Sequence, residues 1–528
     1  MKYKILLLLA LGVMLALIAV ACGAAPTPQT ITVVETVVVE KEVQGETVTV
    51  VETVVVEKEV IKEVEVEKAV DTENWAFQPM AETTTVVLSV ESGAQEKTLD
   101  SFHDEILEKL NIDLQVVAHP FSEQFEIQYL DLSSGAGQFD VISFWPIYFG
   151  DFAPFLEPLK NIAPGGRDQV WQDLQMDDVH PAYLWGYEYK GELYATQYDG
   201  DVKLLHYRYD LANDPEEQKA FKAEYGYDFD INNLTWDQFL DVARFFTRPD
   251  EDFYGAGEIA GFLAGWFFRD RFVGMGGHYF SYDEMEAFPD MDICVKAMQN
   301  GIDTFSTAAP PEARSFEFED ARNQIIVHNR VMFVPQWPDV WKWAGDPALS
   351  NAVCKVAIAE MPGFEKDGQV VHRNEMNGGR VLAINQASSA KEAAYKVLAF
   401  FSDKDRTSQL VGNNDTWLDP WRNTHMDPKL YAHLCEGCEW NCELYVDVID
   451  KSTAHGYPGL QIPGVGRYYE VQERWTKKAF AGQSTAEEAC KGMKSEFDQI
   501  TDGIGRDYQI KEYQRYVDEV LKPLGLYP

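Results

Sequence analysis

GELYATQYDGDVKLLHYRYD, residues 191–210, is the stretch on which the fold turns. Residues 193–196 and 202–209 are apolar and β-favouring, so each predicts a strand. Tyr198, Asp199, Gly200 and Asp201 interrupt them. Gly200 lets the backbone bend or come close to another group, with a carboxylate on either side. Two architectures fit this pattern. An Asp-Gly pair between apolar runs is a common hairpin signal. Equally, the corner stands midway between two αβ-patterned halves, where the chain could cross from one lobe to another.

Upstream, residues 83–90 form a β-run, 99–110 carry Phe102, Ile106 and Leu110 at helical spacing, and 114–118 are again β-favouring. Strand, helix and strand in so short a span predict a βαβ unit and a parallel sheet. A helix over 125–132 and a strand over 139–143 follow. That strand runs into Phe144-Trp145-Pro146-Ile147-Tyr148, aromatics at a strand's carboxyl end, where open α/β sheets bind ligands. Downstream, Thr235 precedes a helical run as an N-cap candidate. Helices over 293–302 and 317–328 and strands over 329–334, 354–361 and 378–384 complete a second αβ-patterned half.

The outer segments read differently. Lys2 and Lys4 precede an unbroken apolar run over 5–21, too short for a comfortable membrane span and built like a secretory leader. Ala19 and Ala21 lead into Cys22, which predicts lipoprotein processing with Cys22 as the acylated residue. Cleavage as a plain secreted protein is the other reading. TVVETVVVEKEV occurs at 32–43 and again at 49–60, in a Val/Glu/Lys stretch without aromatics. Such composition cannot bury a core and predicts a stalk. Its valines cluster in twos and threes, so a heptad coiled coil is not supported. A flexible chain of about 60 residues would span roughly 40 Å.

The 528 residues suffice for two sizeable domains. With 86 acidic against 45 basic residues the formal charge is −41. That argues against nucleic acid or an anionic membrane surface as binding partner and is compatible with neutral or cationic ligands. Besides Cys22 there are Cys294, Cys354, Cys435, Cys438, Cys442 and Cys490. An even set in an exported chain predicts disulfides. A local pair within 435–442 would leave the third cysteine to reach Cys490 or another distant partner. A zinc or iron–sulfur site there lacks a fourth ligand at matching spacing, although His433 is near. No metal and no cofactor is expected.

In the central stretch, Gly191-Glu-Leu-Tyr194 and His206-Tyr-Arg-Tyr-Asp-Leu211 resemble the hinge-crossing motifs of extracellular solute-binding protein family 1, the maltose-binding-protein-like lipoproteins of ABC importers. Gly378-Gly-Arg-Val-Leu-Ala-Ile384 with Lys391-Glu-Ala-Ala394, and Gly482-Gln-Ser-Thr-Ala-Glu-Glu-Ala489, resemble further family motifs, in family order, over about 83–507. The resemblance implies an α/β, two-lobe, type II periplasmic-binding-protein-like fold. Each lobe would have a mainly parallel sheet, with a hinge between lobes. Its segments would be a lipoprotein signal peptide 1–21, a stalk 22–82, a first lobe 83–198 and 333–400, and a second lobe 199–332 and 401–528 including the C-terminal tail. Crossings would fall near Asp199, Phe333 and Phe401.

The resemblance also implies a non-enzymatic binder that captures a carbohydrate, an oligosaccharide by preference, and hands it to membrane permease subunits of an ABC importer. It would be a monomer tethered through Cys22 at the bacterial surface or in the periplasm. Ligand residues carried over by position are Ser92, Gly93, Trp145, Tyr148, Asp199, Asp201, Trp266, Trp337, Trp341, Gly379, Arg380, Asp419, Arg422, Tyr468 and Tyr469. Aromatic faces cover pyranose C–H faces, and planar polar groups satisfy hydroxyls. Several have a structural alternative: Trp266 stands in an apolar run, only one of Tyr468 and Tyr469 can face a cleft, and Arg380 could pair with a carboxylate. A secreted glycoside hydrolase using Asp199 and Asp201 is the enzymatic alternative. A polyamine or peptide is the alternative ligand. No H-E-x-x-H, G-x-S-x-G or P-loop is present.

Overall fold

The computed structural model describes residues 34–43, 46–55 and 74–527. In the N-terminal unit, Val34–Val43 and Glu46–Val55 pair antiparallel, with Val34 opposite Val55 and Val43 opposite Glu46. The β-branched runs expected to form a stalk thus pair with each other. The leader and Cys22 lie outside the described residues.

The second unit, residues 71–528, contains two mixed sheets. The strands of these two sheets are β1 (Thr84–Glu91), β2 (Ile112–His119), β3 (Val141–Phe144), β4 (Ala195–Asp199), β5 (Leu204–Arg208), β6 (Tyr254–Ala256), β7 (Val331–Gln336), β8 (Val356–Glu360) and β9 (Arg380–Ile384). The first sheet has the order β2-β1-β3-β9-β4, the second β6-β7-β5-β8. In the first, β1 runs parallel to β2 and β3, while β9 opposes both β3 and β4. In the second, β6 and β7 are parallel and β5 opposes β7 and β8. All strands but one in each sheet therefore share a direction. Helices that shape the space between the sheets are α1 (Phe121–Ser134), α2 (Ala264–Gly274), α3 (Phe318–Ile326), α4 (Asp339–Gly345), α5 (Lys391–Ser402) and α6 (Val465–Phe480).

β4 and β5 join different sheets, so the acidic corner is a crossing and not a hairpin turn. Gly200 serves this crossing by close approach: a Cβ there would stand 2.3 Å from the Pro420 carbonyl oxygen. Three other expectations change. The segment expected to return to the first lobe at Phe333 is β7, and Phe333 pairs with Tyr207 of β5. β8 occupies the other edge of β5. The chain rejoins the first sheet only at β9, because β5 needs both neighbours to satisfy its two rows of backbone groups. The ordered chain also begins before 83: Trp75 is buried at 5.3 Å from Tyr395 of α5, and Lys396 Nζ donates to the Trp75 carbonyl at 2.6 Å. Finally, the helix read over 99–110 is two, Ala94–Asp100 and His103–Leu110, broken where the Ser101 hydroxyl bonds back to the Thr98 carbonyl.

Three disulfides stitch the second sheet's surroundings: Cys294–Cys490, Cys354–Cys438 and Cys435–Cys442. The local pair is Cys435–Cys442, and the third cysteine of the cluster reaches Cys354 and not Cys490. Among the described residues no group of His, Cys, Asp and Glu is placed to hold a metal ion, and no helix is long and apolar enough to cross a membrane.

Candidate functional site

Between the two sheets lies a cleft of about 600 Å³, part of it open to solvent. Its position follows from chain direction. Glu91 ends β1, Asp199 ends β4 and Arg380 begins the reversed β9, so all three side chains stand on one edge of the first sheet. From the second sheet, Gln336 ends β7, and Trp337 and Asp339 lead into α4. Asp201 sits in the crossing, and Trp417 and Asp419 come from a loop folded over it. The cleft thus faces the carboxyl ends of strands in both sheets, the usual ligand position in open α/β folds.

Arg380 is the pivot of the first wall. Its guanidinium donates to Glu91 at 2.9 Å and to Asp199 at 3.0 Å, and lies 5.2 Å from the Trp145 ring centroid. Gln95 Nε2 donates to the same Asp199 carboxylate at 2.9 Å, and the Asp419 amide donates to its other oxygen at 2.9 Å. Gly379 makes this wall possible: its φ is +72°, and a Cβ would lie 1.9 Å from the Asp199 carbonyl oxygen. Only glycine fits that backbone without strain.

The opposite wall is aromatic. Trp266 and Trp337 meet edge to face at 5.7 Å, Phe318 packs on Trp337 at 5.3 Å, and Trp343 meets Trp417 at 5.6 Å. Arg322 lies over Trp343 at 4.1 Å. Behind them, the buried Lys203 ammonium faces the Trp266 and Trp337 rings and donates to Asp270 at 2.7 Å.

The electrostatics are unusual for so enclosed a space. Asp199, Asp201 and Asp419 are 1%, 4% and 3% exposed. Burial pushes Asp199 up to about 6 despite Arg380, and Asp339 up to about 6 despite Lys342. Asp201 and Asp419 are pushed well above the usual carboxylate range, again chiefly by burial. Lys342 donates hydrogen bonds to backbone carbonyls, including that of Leu418 at 2.8 Å.

Six expected residues line this cleft: Asp199, Asp201, Trp266, Trp337, Arg380 and Asp419. Ser92 and Gly93 flank the lining residues Glu91 and Gln95 without entering the wall. Trp145 sits behind the wall, packed on Trp266 at 5.5 Å, and Tyr148 packs in turn on Phe125 at 4.6 Å. The others are structural. Trp341 stacks on Tyr445 at 3.9 Å in the core, because the first turn of α4 sends Asp339 and Trp343 to the cleft and Trp341 to the opposite side. Arg422 is fully buried and satisfies the carbonyls of Leu174, Gln175 and Ser402. Tyr468 bonds Thr501, and Tyr469 accepts from the Leu460 amide beneath the Arg269 guanidinium. Gly379 acts through its backbone.

Sequence reasoning missed Glu91, Gln95, Arg322, Asp339, Trp343 and Trp417. Glu91 could have been found as the carboxyl-terminal residue of β1. Asp339 and Trp343 required knowing which side of α4 meets the cleft.

Residues 91–405 match the family model described as bacterial extracellular solute-binding protein. A probable amino-acid ABC transporter periplasmic-binding protein of Sinorhizobium fredii is 24% identical over 326 residues, 61% of this chain and 70% of that protein. Among solved structures, an ABC transporter solute-binding protein of Agrobacterium radiobacter K84 in complex with ribitol superposes with a TM-score of 0.66 at 19% identity, covering 80% of this chain and all of that one. Maltose-bound MalE3 of T. maritima gives 0.63 at 21% identity over 79% and 100%. A solute-binding protein of Agrobacterium vitis S4 with D-mannitol gives 0.61 at 19% over 80% and 99%. The shared fold is that of type II periplasmic binding proteins.

Proposed function

The chain belongs to the bacterial extracellular solute-binding proteins, binders and not enzymes that serve ABC transporters, and from that premise we propose that it captures a small polyhydroxylated solute in the cleft. The observation that carries this reading is the cleft itself, where carboxylates and Arg380 from one sheet face tryptophans from the other. Tryptophan faces suit the C–H surface of a sugar, and carboxylates accept from pairs of hydroxyls. The ribitol, maltose and mannitol complexes of its structural neighbours support the same class. An amino-acid ligand, which the Sinorhizobium relative's description suggests, would need a cation for its carboxylate; Arg380 already serves Glu91 and Asp199, which leaves Arg322 on the cleft wall to supply it.

Each wall belongs to a different sheet, so ligand contact with both favours the closed arrangement by its differential affinity. The closed form would dock on permease subunits of an importer. The protein would act as a monomer held at the bacterial surface or in the periplasm by a lipid on Cys22. Palmitate labelling tests the anchor: label retained by Cys22→Ala removes it from the reading.

Calorimetric titration with saccharides and sugar alcohols tests the site. Leaving a buried polar partner unpaired costs about 1–3 kcal/mol, so Asp201→Ala should weaken binding roughly tenfold to a hundredfold. Trp337→Ala should cost more affinity than Trp145→Ala, since only Trp337 lines the cleft. Equal affinities for all variants and the wild type would place the site elsewhere.

A further inference from the structure

The cleft wall carries six carboxylates, Glu91, Asp199, Asp201, Glu319, Asp339 and Asp419, against the two guanidiniums of Arg322 and Arg380. Of the four cations in reach, Arg380 and Lys203 are committed to carboxylates, whereas Lys342 and Arg322 form no salt bridge among the described residues. Arg380 is bonded to Glu91 and Asp199, Lys203 to Asp270 and Glu375, and Lys342 to backbone carbonyls. Arg322 is stacked on Trp343. Asp201, Asp339 and Asp419 form no salt bridge among the described residues. Two acceptors on the wall, Asp419 Oδ1 and Gln95 Oε1, are buried with no donor, on residues that are each 3% exposed. One donor, Trp337 Nε1, is likewise unmatched.

We infer that this cleft receives a protonated amine: its solute is an amino sugar, an amino polyol or an aliphatic polyamine, and not a neutral saccharide. The inference rests on the solute-binding reading above and sharpens its ligand class. A neutral polyol brings donors but no charge, so the unpaired carboxyls close over it only by keeping their protons, and each protonated carboxyl is one acceptor fewer for its hydroxyls. An ammonium group brings three donors and the missing charge together. The rings of Trp266 and Trp337 add an attractive face for a cation. The unmatched indole N–H of Trp337 is left for a hydroxyl or amine lone pair, which an amino sugar or amino polyol supplies.

Ionisation points the same way. Asp201 faces Arg380, Asp199, Lys203 and Glu375; Asp419 faces Asp339, Asp199, Lys342 and Asp201; Asp339 faces Lys342, Arg322 and Asp199. Crowded and buried, Asp201 and Asp419 hold their protons well above the usual carboxylate range, and Asp339 holds its proton up to about pH 6. A bound ammonium displaces those protons, so its affinity climbs with pH while the amine stays protonated.

Matched probes test this on the mature protein by calorimetry and melting curves: glucosamine with glucose and N-acetylglucosamine, 1-amino-1-deoxysorbitol with sorbitol, and spermidine. The expected result is that an amine binds at least tenfold tighter than its neutral counterpart. For 1-amino-1-deoxysorbitol and spermidine, whose amines stay protonated, affinity should increase several-fold between about pH 6 and 7.5, and Asp201→Asn or Asp419→Asn should remove most of the difference. Neutral members binding as tightly as amines would overturn the inference and leave the saccharide reading standing. Binding of spermidine alone would uphold the inference and overturn the saccharide reading. No binding by any probe would overturn both.

Discussion

At the scale of single residues, the cleft trades stability for charge. A carboxyl whose folded pKa stands above its unfolded value near 3.9 holds its proton more tightly when folded. It therefore contributes stability below about pH 4 that is lost as pH rises through the folded pKa. Asp339, at about 6, loses its contribution between about pH 4 and 6. Asparagine imitates the protonated form, so Asp339→Asn should match the wild type in Tm near pH 4 and exceed it above pH 6. For Asp201, pushed well above its usual range, the advantage of Asp201→Asn should still be growing at neutral pH. Paired thermal melts across pH check both, and a difference that shrinks with rising pH would contradict them. Gly379 is sensitive for a different reason. At φ +72° with a carbonyl 1.9 Å from any Cβ, Gly379→Ala should cost about 3 kcal/mol or more in denaturant unfolding.

At the scale of elements, local chemistry and long-range ties contribute separately. Thr235 caps the helix Trp236–Phe245 in a reciprocal box: its hydroxyl accepts from the Gln238 backbone amide at 3.2 Å, and the Gln238 side-chain oxygen accepts from the Thr235 backbone amide at 2.9 Å. Thr235→Ala should cost about 1 kcal/mol. The disulfides act over very different spans. Cys294–Cys490 joins helices Met291–Thr307 and Ala486–Ile504 across 196 residues, whereas Cys435–Cys442 closes only 7. Loop entropy in the unfolded chain gives about 5 kcal/mol for the first and about 2 for the second. Double Cys→Ala variants, unfolded in denaturant, should rank in that order.

At the scale of the molecule, the two connections between sheets are fastened by one buried ion cluster. Lys203, in the first connection, pairs with Asp270 of α2 at 2.7 Å. Glu375, in the second, receives Arg269 of the same helix at 3.0 Å and lies 3.5 Å from Lys203. All four side chains are essentially without solvent contact. Removing one member leaves the others unpaired, so Lys203→Met should destabilise by about 3–5 kcal/mol at neutral pH. Equilibrium unfolding measures this, and a loss below about 1 kcal/mol would show that the cluster is not a structural clasp.

Much of this architecture was legible in the chain itself. Local patterning marked β1, β2 and the helices Phe121–Ser134, Met291–Thr307 and Phe318–Ile326, because burial of one face imposes a period on local sequence. The corner at Asp199 and Asp201 was marked because chemistry and a crossing position coincide there, whereas Trp337 and Asp419 came from the family resemblance; all four line the cleft. The export context led to disulfides in place of a metal site. What local sequence could not express was partnership across long separations. Whether β7 joins the first or second sheet depends on both edges of β5, and apolar β-runs look alike in either place. Likewise, tryptophan has the same local signal on a cleft wall and in a core. Only the packing of α4 sends Trp343 to the cleft and Trp341 onto Tyr445, and only the folded loop around Arg422 turns a ligand candidate into a buried scaffold.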